Sequence, residues 1–484
     1  MLGALWVRAL ELEQSIVTFH PTRHYRSAVI ARACYYDRAP GVPAWARTVA
    51  AAGRSMQPSG EIPLMEWAAC SAYLALSREN IMIPRALAVA IWIAGAIPVW
   101  WMALRLASPA GALIAVALYL FLPYGIVATR NFQPDPLMTL SSLWALVALL
   151  RHHDRPARGR FITAAAVVGL AILVKPMSVF LTIPPIVALA TLDRSRGSWR
   201  RHVVLAALGL LPGAVYYGYD TVFGTLAQDQ MRMRFVPQLL PTLFFWDGLA
   251  RMIGRVLSWP LFILALAGMA LAPLTLARRL LAALLVGYAI FAITFTYHMA
   301  THDYYHLPYV AVASIAVAAL VARIEATRTA RQVRWRQPAV AVVLVALIAY
   351  GVIAARPRLR VEDAAALAEA YAQIGEAAEH SPRMLFLDAA YGYALMYHAQ
   401  VAGDSWPTLD DLNAERIDGA PAIGADARYE RDFADYGPSY FVITDLESLR
   451  GEPDLAAMLA RRADLVSAAP RYRVYRLRAA ALQQ

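Results

Sequence analysis

Residues 161–192 read FITAAAVVGLAILVKPMSVFLTIPPIVALATL, an apolar run broken near its middle by Lys175-Pro176. A membrane-crossing helix needs about 20 apolar residues, so the run is too long for one ordinary span. Proline disfavours helical geometry in the residue before it, and the chain is expected to turn at Lys175. The run therefore reads as two short helices with a lysine at the turn between them.

The same alternation extends outward in both directions. Upstream lie apolar stretches at 83–104, 107–128 and 136–150; downstream they lie at 203–219, 260–277, 280–297, 307–322 and 338–354. With the pair at 161–192, these make about ten membrane-spanning helices. The stretch from Leu239 to Arg255 suits an amphipathic helix lying along the membrane surface. Composition agrees: 59% of residues are hydrophobic and only 16% charged, whereas soluble domains carry about 25% charged residues. After the last span, MLFLDAA, YFVITD and YRVYRL read as strands and AALAEAYAQIGEAAEH as a helix. The fold class is thus a polytopic α-helical membrane protein with a small C-terminal α/β soluble domain. The expected division is 1–355 for the membrane domain, with 11–82 as a first outer loop bearing surface helices, and 356–484 for the soluble domain.

The formal net charge is +11. Arginine-rich loops at 105, 151–160, 194–202, 278–279 and 323–337 fall on one side of the membrane if 161–192 is a helix pair. That side is cytoplasmic by the positive-inside rule. Because the arginines sit between apolar runs, they argue against nucleic-acid binding, which needs a basic stripe on a soluble face. The segments 11–82, 129–135, the Lys175 turn, 220–259, 298–306 and the C-terminal domain face outward. Cys34 and Cys70 are too few for a disulfide framework, and two free thiols are expected over a single outer-face bridge.

The polar residues able to do chemistry lie in those outer segments. Asp135, in Arg130-Asn131-Phe132-Gln133-Pro134-Asp135-Pro136, could act as a general base, bind a cation or pair with an arginine. It could equally cap the helix that Pro136 opens. Lys175 could bind a lipid phosphate as a point charge, or snorkel to the headgroups. His298, His302, Asp303, Tyr304, Tyr305 and His306 could hold a metal, a sugar or a phosphate, or form an interfacial belt. His20, Arg23, His24, Arg26 and Arg32 form either a phosphate-binding cluster or a solvated basic helix. Glu61 and Glu66, in GEIPLMEW, are further carboxylates of the first outer loop.

FHPTRHYRSAVIARA, RNFQPDPLM, LVKP and THDYYHLPYVAVASIAV, in this order and on one face, resemble the GT-C glycosyltransferases of the protein-mannosyltransferase and aminoarabinose-transferase type. The likeness runs from about residue 15 to residue 325. It implies inverting transfer of a sugar from a polyprenyl-phosphate donor to a lipid, glycan or protein acceptor, at the outer face of a bacterial inner membrane. It also implies an acidic catalytic base in the first outer loop. Asp135 matches the acidic position of the second outer loop, Lys175 an intramembrane lysine near the donor phosphate, and Tyr305 and Pro308 the residues opening a late span. Arg23 and Arg32, with His302 and Asp303, are the further substrate-binding candidates.

The chain departs from that family at its start. Members begin with a complete span before the first loop; here only about ten residues of it remain, a truncated first span, and the reading frame is expected to begin upstream of Met1. His20 stands where some relatives have a carboxylate, which leaves the base open among Glu13, Glu11 and His20. No Gly-rich phosphate loop is present on a strand–helix turn, and no cofactor is required, although a divalent cation would suit the outer carboxylates and histidines. The alternative function is a multi-span transporter of a lipid or sugar-like substrate. Transporters usually show an internal repeat with paired broken helices; here there is one broken segment and no repeat.

Overall fold

The computed structural model describes residues 1–14, 19–57, 60–193, 195, 197–223, 235–327, 336–360, 364–417 and 421–478. The chain divides into two compact units. One comprises Met1–Leu12, Ser59–Leu64 and Arg85–Arg360; the other comprises Glu13–Pro58, Met65–Pro84 and Val361–Gln484. The first outer loop thus supplies most of its length to the unit that contains the C-terminal domain.

The first unit is helical. Among the described residues, five helices are long and apolar enough to cross a membrane: Met82–Leu106, Ser198–Tyr219, Thr275–Thr294, Asp303–Glu325 and Gln337–Leu359. A sixth crossing arises if Leu243–Val256 and Trp259–Leu271, bent by 92° at their junction, form one span. Leu243–Val256 exposes Leu243, Phe244 and Trp246 while burying Phe245, Ile253 and Val256, the amphipathic pattern expected of that stretch. The run at 161–192 breaks at the expected place. Arg158–Val174 ends at Lys175, whose backbone is extended (φ −158°, ψ 125°), and a short turn at Pro176–Ser178 leads into Val179–Leu192.

The span expected at 83–104 is present as Met82–Leu106. Within it Gly95 keeps a helical backbone (φ −61°, ψ −18°), and a Cβ there would lie 2.1 Å from the Tyr119 hydroxyl. That hydroxyl donates to the Trp92 carbonyl at 2.9 Å, and the two rings stack at 4.3 Å. The span at 107–128 is divided at Leu122, made extended by the proline that follows. The turn between the next-to-last pair of spans was expected at Arg278-Arg279. It lies instead at Ala272–Leu274, because Pro273 ends the preceding helix, and both arginines fall within Thr275–Thr294.

In the second unit, helices Pro21–Arg38, Ala44–Ser55 and Leu64–Leu76 come largely from the first outer loop. The expectation of two free thiols is corrected here: Cys34 and Cys70 form a disulfide with Cα atoms 5.9 Å apart. The pairing joins cysteines 36 positions apart on two different helices, a proximity no spacing rule reveals. Closing a loop of that length removes about 4 kcal/mol of denatured-state entropy in the chain-entropy model. Reduction, or Cys34→Ser, is therefore expected to lower the unfolding temperature of this unit clearly. An unchanged thermal profile under reducing conditions would contradict that expectation.

The C-terminal sheet has five strands: β1 (Met384–Leu387), β2 (Gly403–Ser405), β3 (Tyr440–Ile443), β4 (Ala463–Ala469) and β5 (Tyr472–Leu477). Their order is β2-β1-β3-β5-β4, with β1 parallel to β2 and β3, and β5 antiparallel to β3 and β4. Every residue of β1 and β3 is buried, as central parallel strands require, whereas the edge strand β4 is largely exposed. Trp406, Phe433, Phe441, Leu455 and Met458 fill the core on one face. The strands expected from MLFLDAA, YFVITD and YRVYRL are present. The short β2 and the alanine-rich β4 carried too little apolar signal to be read.

Candidate active site

The helix break fixes Lys175. Its extended backbone leaves the helical path, and the side chain is only 1% exposed. A buried ammonium needs a partner, and Lys175 Nζ donates to Asp135 Oδ1 at 2.8 Å. Asp135 opens the helix Asp135–Asp154 but makes no capping hydrogen bond, so the helix-cap reading gives way to an ion pair. Its other oxygen, Oδ2, is buried without a hydrogen-bond partner among the described residues.

Glu61 completes the cluster. Its Oε1 lies 3.9 Å from Lys175 Nζ, and its side chain is 14% exposed. Lys175 also lies over two aromatic rings, 5.6 Å from the centroid of Tyr304 and 5.5 Å from that of Tyr305. The Tyr305 hydroxyl is buried and has no hydrogen-bond partner among the described residues. In the sequence, Glu61 stood out only as one of two carboxylates beside Pro63. Glu66, the other, instead accepts from Ser27 Oγ at 2.5 Å in the second unit.

Asp303 belongs to an adjoining network in the same unit. Its Oδ1 accepts from the Tyr124 hydroxyl at 2.7 Å, and its Oδ2 lies 3.4 Å from Arg255 Nη1. The histidines of this segment point different ways. His298 and His302 stack at 4.9 Å, and His302 Nδ1 lies 2.7 Å from Thr301 Oγ1. His306 uses both ring nitrogens, on the Tyr288 hydroxyl at 2.6 Å and the Met299 carbonyl at 3.0 Å. Among the described residues no three His, Cys, Asp or Glu side chains are arranged to hold a metal ion.

The other sequence candidates divide between the two units. Glu11, in the first unit, is exposed with a left-handed backbone (φ 51°). Glu13, His20, Arg23 and Arg32 belong to the second unit. Glu13 is exposed; His20, also left-handed (φ 47°), precedes the helix Pro21–Arg38, and Arg23 sits half-buried in its first turn. Arg32 is buried and committed: Nε bonds Glu79 at 2.9 Å, Nη1 donates to the Tyr397 carbonyl at 2.6 Å, and the guanidinium lies 3.9 Å from the Tyr397 ring centroid. Burial, reinforced by the Arg32 charge, pushes the nearby His398 imidazole down to about 4.

The structure aligns with that of ArnT from Cupriavidus metallidurans bound to undecaprenyl phosphate at a TM-score of 0.64, over 98% of this chain and 96% of that one, with 16% identity. The chain has the GT-C fold. The apo form of the same ArnT aligns at 0.61 with 15% identity, over 98% of this chain and 96% of that one. The oligosaccharyltransferase of Archaeoglobus fulgidus, solved with zinc and sulfate, aligns at 0.59 with 12% identity, over 96% of this chain and 70% of that one. By sequence, residues 61–219 match the family model of dolichyl-phosphate-mannose-protein mannosyltransferases. That stretch contains Glu61, Asp135 and Lys175, so the buried cluster of this GT-C chain draws its charged residues from the matched region. No curated protein matches the sequence.

Proposed function

We propose that the protein is a membrane glycosyltransferase that takes its sugar from a polyprenyl-phosphate donor and transfers it with inversion to an acceptor at the outer face of a bacterial inner membrane. The observation that carries this reading is Lys175, buried at a helix break between Asp135 and Glu61. An ammonium has three donors. One is held by Asp135, which fixes the side chain and leaves donors for phosphate oxygens. The Tyr305 hydroxyl, on a ring whose centroid is 5.5 Å from Lys175 Nζ and without a hydrogen-bond partner among the described residues, supplies a second donor. Both would stabilise the charge that develops on the phosphate as the glycosidic C–O bond breaks.

The acceptor hydroxyl attacks the anomeric carbon from the face opposite the phosphate. A carboxylate takes its proton, and polyprenyl phosphate leaves. Glu61 fits the base better than Asp135. Asp135 Oδ1 is taken up by Lys175 at 2.8 Å, whereas Glu61 is partly exposed and 3.9 Å from the same ammonium. Glu61 also lies in the first outer loop, where the family resemblance puts the base. Glu13, Glu11 and His20 remain as alternatives to be tested by the same substitutions. The outward orientation is supported by the positive-inside bias and by the Cys34–Cys70 disulfide, since disulfides persist outside the reducing cytosol.

The test is the anomeric configuration of the product, read by NMR after reaction with an α- or β-linked polyprenyl-phosphate sugar. The account expects the opposite anomer in the product. Retention, or transfer from nucleotide sugars in preference to lipid-phosphate sugars, would overturn it.

A further inference from the structure

The helix Asp135–Asp154 starts at the Lys175 cluster and is 20 residues long, about 30 Å at 1.5 Å per residue. Its far end and the end of Val179–Leu192 meet the start of Ser198–Phe223 around a cleft of about 680 Å³. The polar lining is His153, Asp193, Ser195 and Arg201. All four belong to the first unit, on the side of the membrane that carries the arginine-rich loops.

The charged groups of this cleft are reachable. Arg201 is 43% exposed and Asp193 22%. They pair at 3.0 Å through Arg201 Nη2, which also donates to Ser195 Oγ at 2.5 Å. Arg201 Nε and Nη1 have no hydrogen-bond partner among the described residues. Asp193 is used on both oxygens, Oδ1 by the Ser195 backbone N–H at 2.9 Å and Oδ2 by Arg201. The carboxylate therefore holds the guanidinium in place and leaves two of its nitrogens for a ligand.

The surroundings favour an anion. Ser198–Phe223 begins here, and the first N–H groups of a helix lack intrahelical partners and carry the positive end of its dipole. Gly197, left-handed at φ +79°, leaves open space beside them: among the described residues nothing lies within 4 Å of where a Cβ would sit. The segments 151–160 and 193–202 carry four arginines and one aspartate each. Asp154 is paired with Arg105 at 2.6 Å and Asp193 with Arg201, so the excess charge is positive.

The same helix shows what the anion is attached to. Val204, Leu208, Leu211, Val215 and Tyr219 follow Arg201 at steps of three or four, and all five are exposed. At 3.6 residues per turn these positions share one face with Arg201. A guanidinium at the membrane surface thus heads an apolar stripe that runs down the span. A phosphate carrying a hydrocarbon chain uses both features, whereas free phosphate uses only the first. Basic pockets between spans at the arginine-rich face suit anionic lipid headgroups.

We propose that this cleft binds an anionic glycerophospholipid, its phosphate on the free donors of Arg201 and an acyl chain along the stripe from Val204 to Tyr219. The site lies at the far end of the helix that Asp135 opens, and the inference rests on the membrane fold rather than on the catalytic reading.

The test uses the full-length protein in phosphatidylcholine nanodiscs holding a trace of phosphatidylglycerol, with a photoactivatable group near the start of one acyl chain. Labelled peptides are read by mass spectrometry. Labelling within 197–211 is expected, competed by unlabelled phosphatidylglycerol but not by phosphatidylethanolamine or by glycerol 3-phosphate in solution. Arg201→Gln is expected to reduce it at least tenfold with an unchanged unfolding temperature. Arg158→Gln, which removes an exposed arginine from the same side of the membrane, is expected to change it less than twofold. Lys175→Ala is expected to leave the labelling in place. Absence of labelling within 197–211, or an equal loss in Arg158→Gln and Arg201→Gln, would overturn the proposal. Competition by glycerol 3-phosphate would make the ligand a free phosphate, and stronger competition by polyprenyl phosphate would make it the donor lipid; either result overturns the assignment to a glycerophospholipid, as does equal competition by phosphatidylethanolamine.

Discussion

Lys175→Ala is expected to abolish transfer, with a loss of at least 10²–10³ in turnover, the size seen when a donor to developing negative charge is removed. The same change leaves Asp135 buried and unpaired, which costs about 3–5 kcal/mol when a buried ion pair loses one member. Lost activity in the single variant therefore mixes two effects. They separate in Lys175→Met combined with Asp135→Leu. Replacing both members of a buried pair with apolar residues is often neutral for stability, so the double variant should unfold near the wild-type temperature and still fail to transfer. Turnover retained in a well-folded double variant would show that neither charge acts in the reaction.

Glu61→Gln is expected to reduce turnover by about 10²–10⁴, the usual contribution of a general base, with little change in donor binding. Glutamine keeps the shape and the polar contacts but cannot accept the proton. The side chain is 14% exposed and is 3.9 Å from Lys175, so this loss should come without a drop in unfolding temperature. Glu61→Ala rescued by added formate would identify the missing group as a carboxylate that takes a proton, a response that a merely structural role would not give. If Glu61→Gln is fully active while Glu13→Gln or His20→Ala is not, the base lies elsewhere in the first outer loop.

The most informative features of the sequence were those that conflict with a membrane interior. A lysine followed by proline inside an apolar run announces both a helix break and a buried charge. Asp135 before Pro136 marks a second charged helix start, and the two side chains form the pair at 2.8 Å. What stayed hidden was proximity across the chain. Glu61 reaches Lys175 only through folding, and nothing at its own position distinguishes it from Glu66. Cys34 and Cys70 lie on different helices, and a count of two cysteines says nothing about their distance. The histidine cluster misled in the opposite sense. Three histidines within nine residues suggested a shared ligand, yet His306 turns inward to Tyr288 and Met299. The helix break at Leu122 follows from the proline after it, inside a run that its apolar composition alone reads as one span.

The central claim is that this GT-C chain consumes a polyprenyl-phosphate-linked sugar at the Lys175 cluster. The most direct measurement is donor consumption by purified protein in detergent, with a panel of acceptors. Wild type would be compared with Asp135→Asn and Lys175→Ala, each checked for folding by size-exclusion profile. The account predicts release of polyprenyl phosphate by wild type and its loss in both variants. No release from any lipid-phosphate donor by folded wild-type protein would contradict it and favour a transport role; release unchanged in both folded variants would move the reaction away from Lys175.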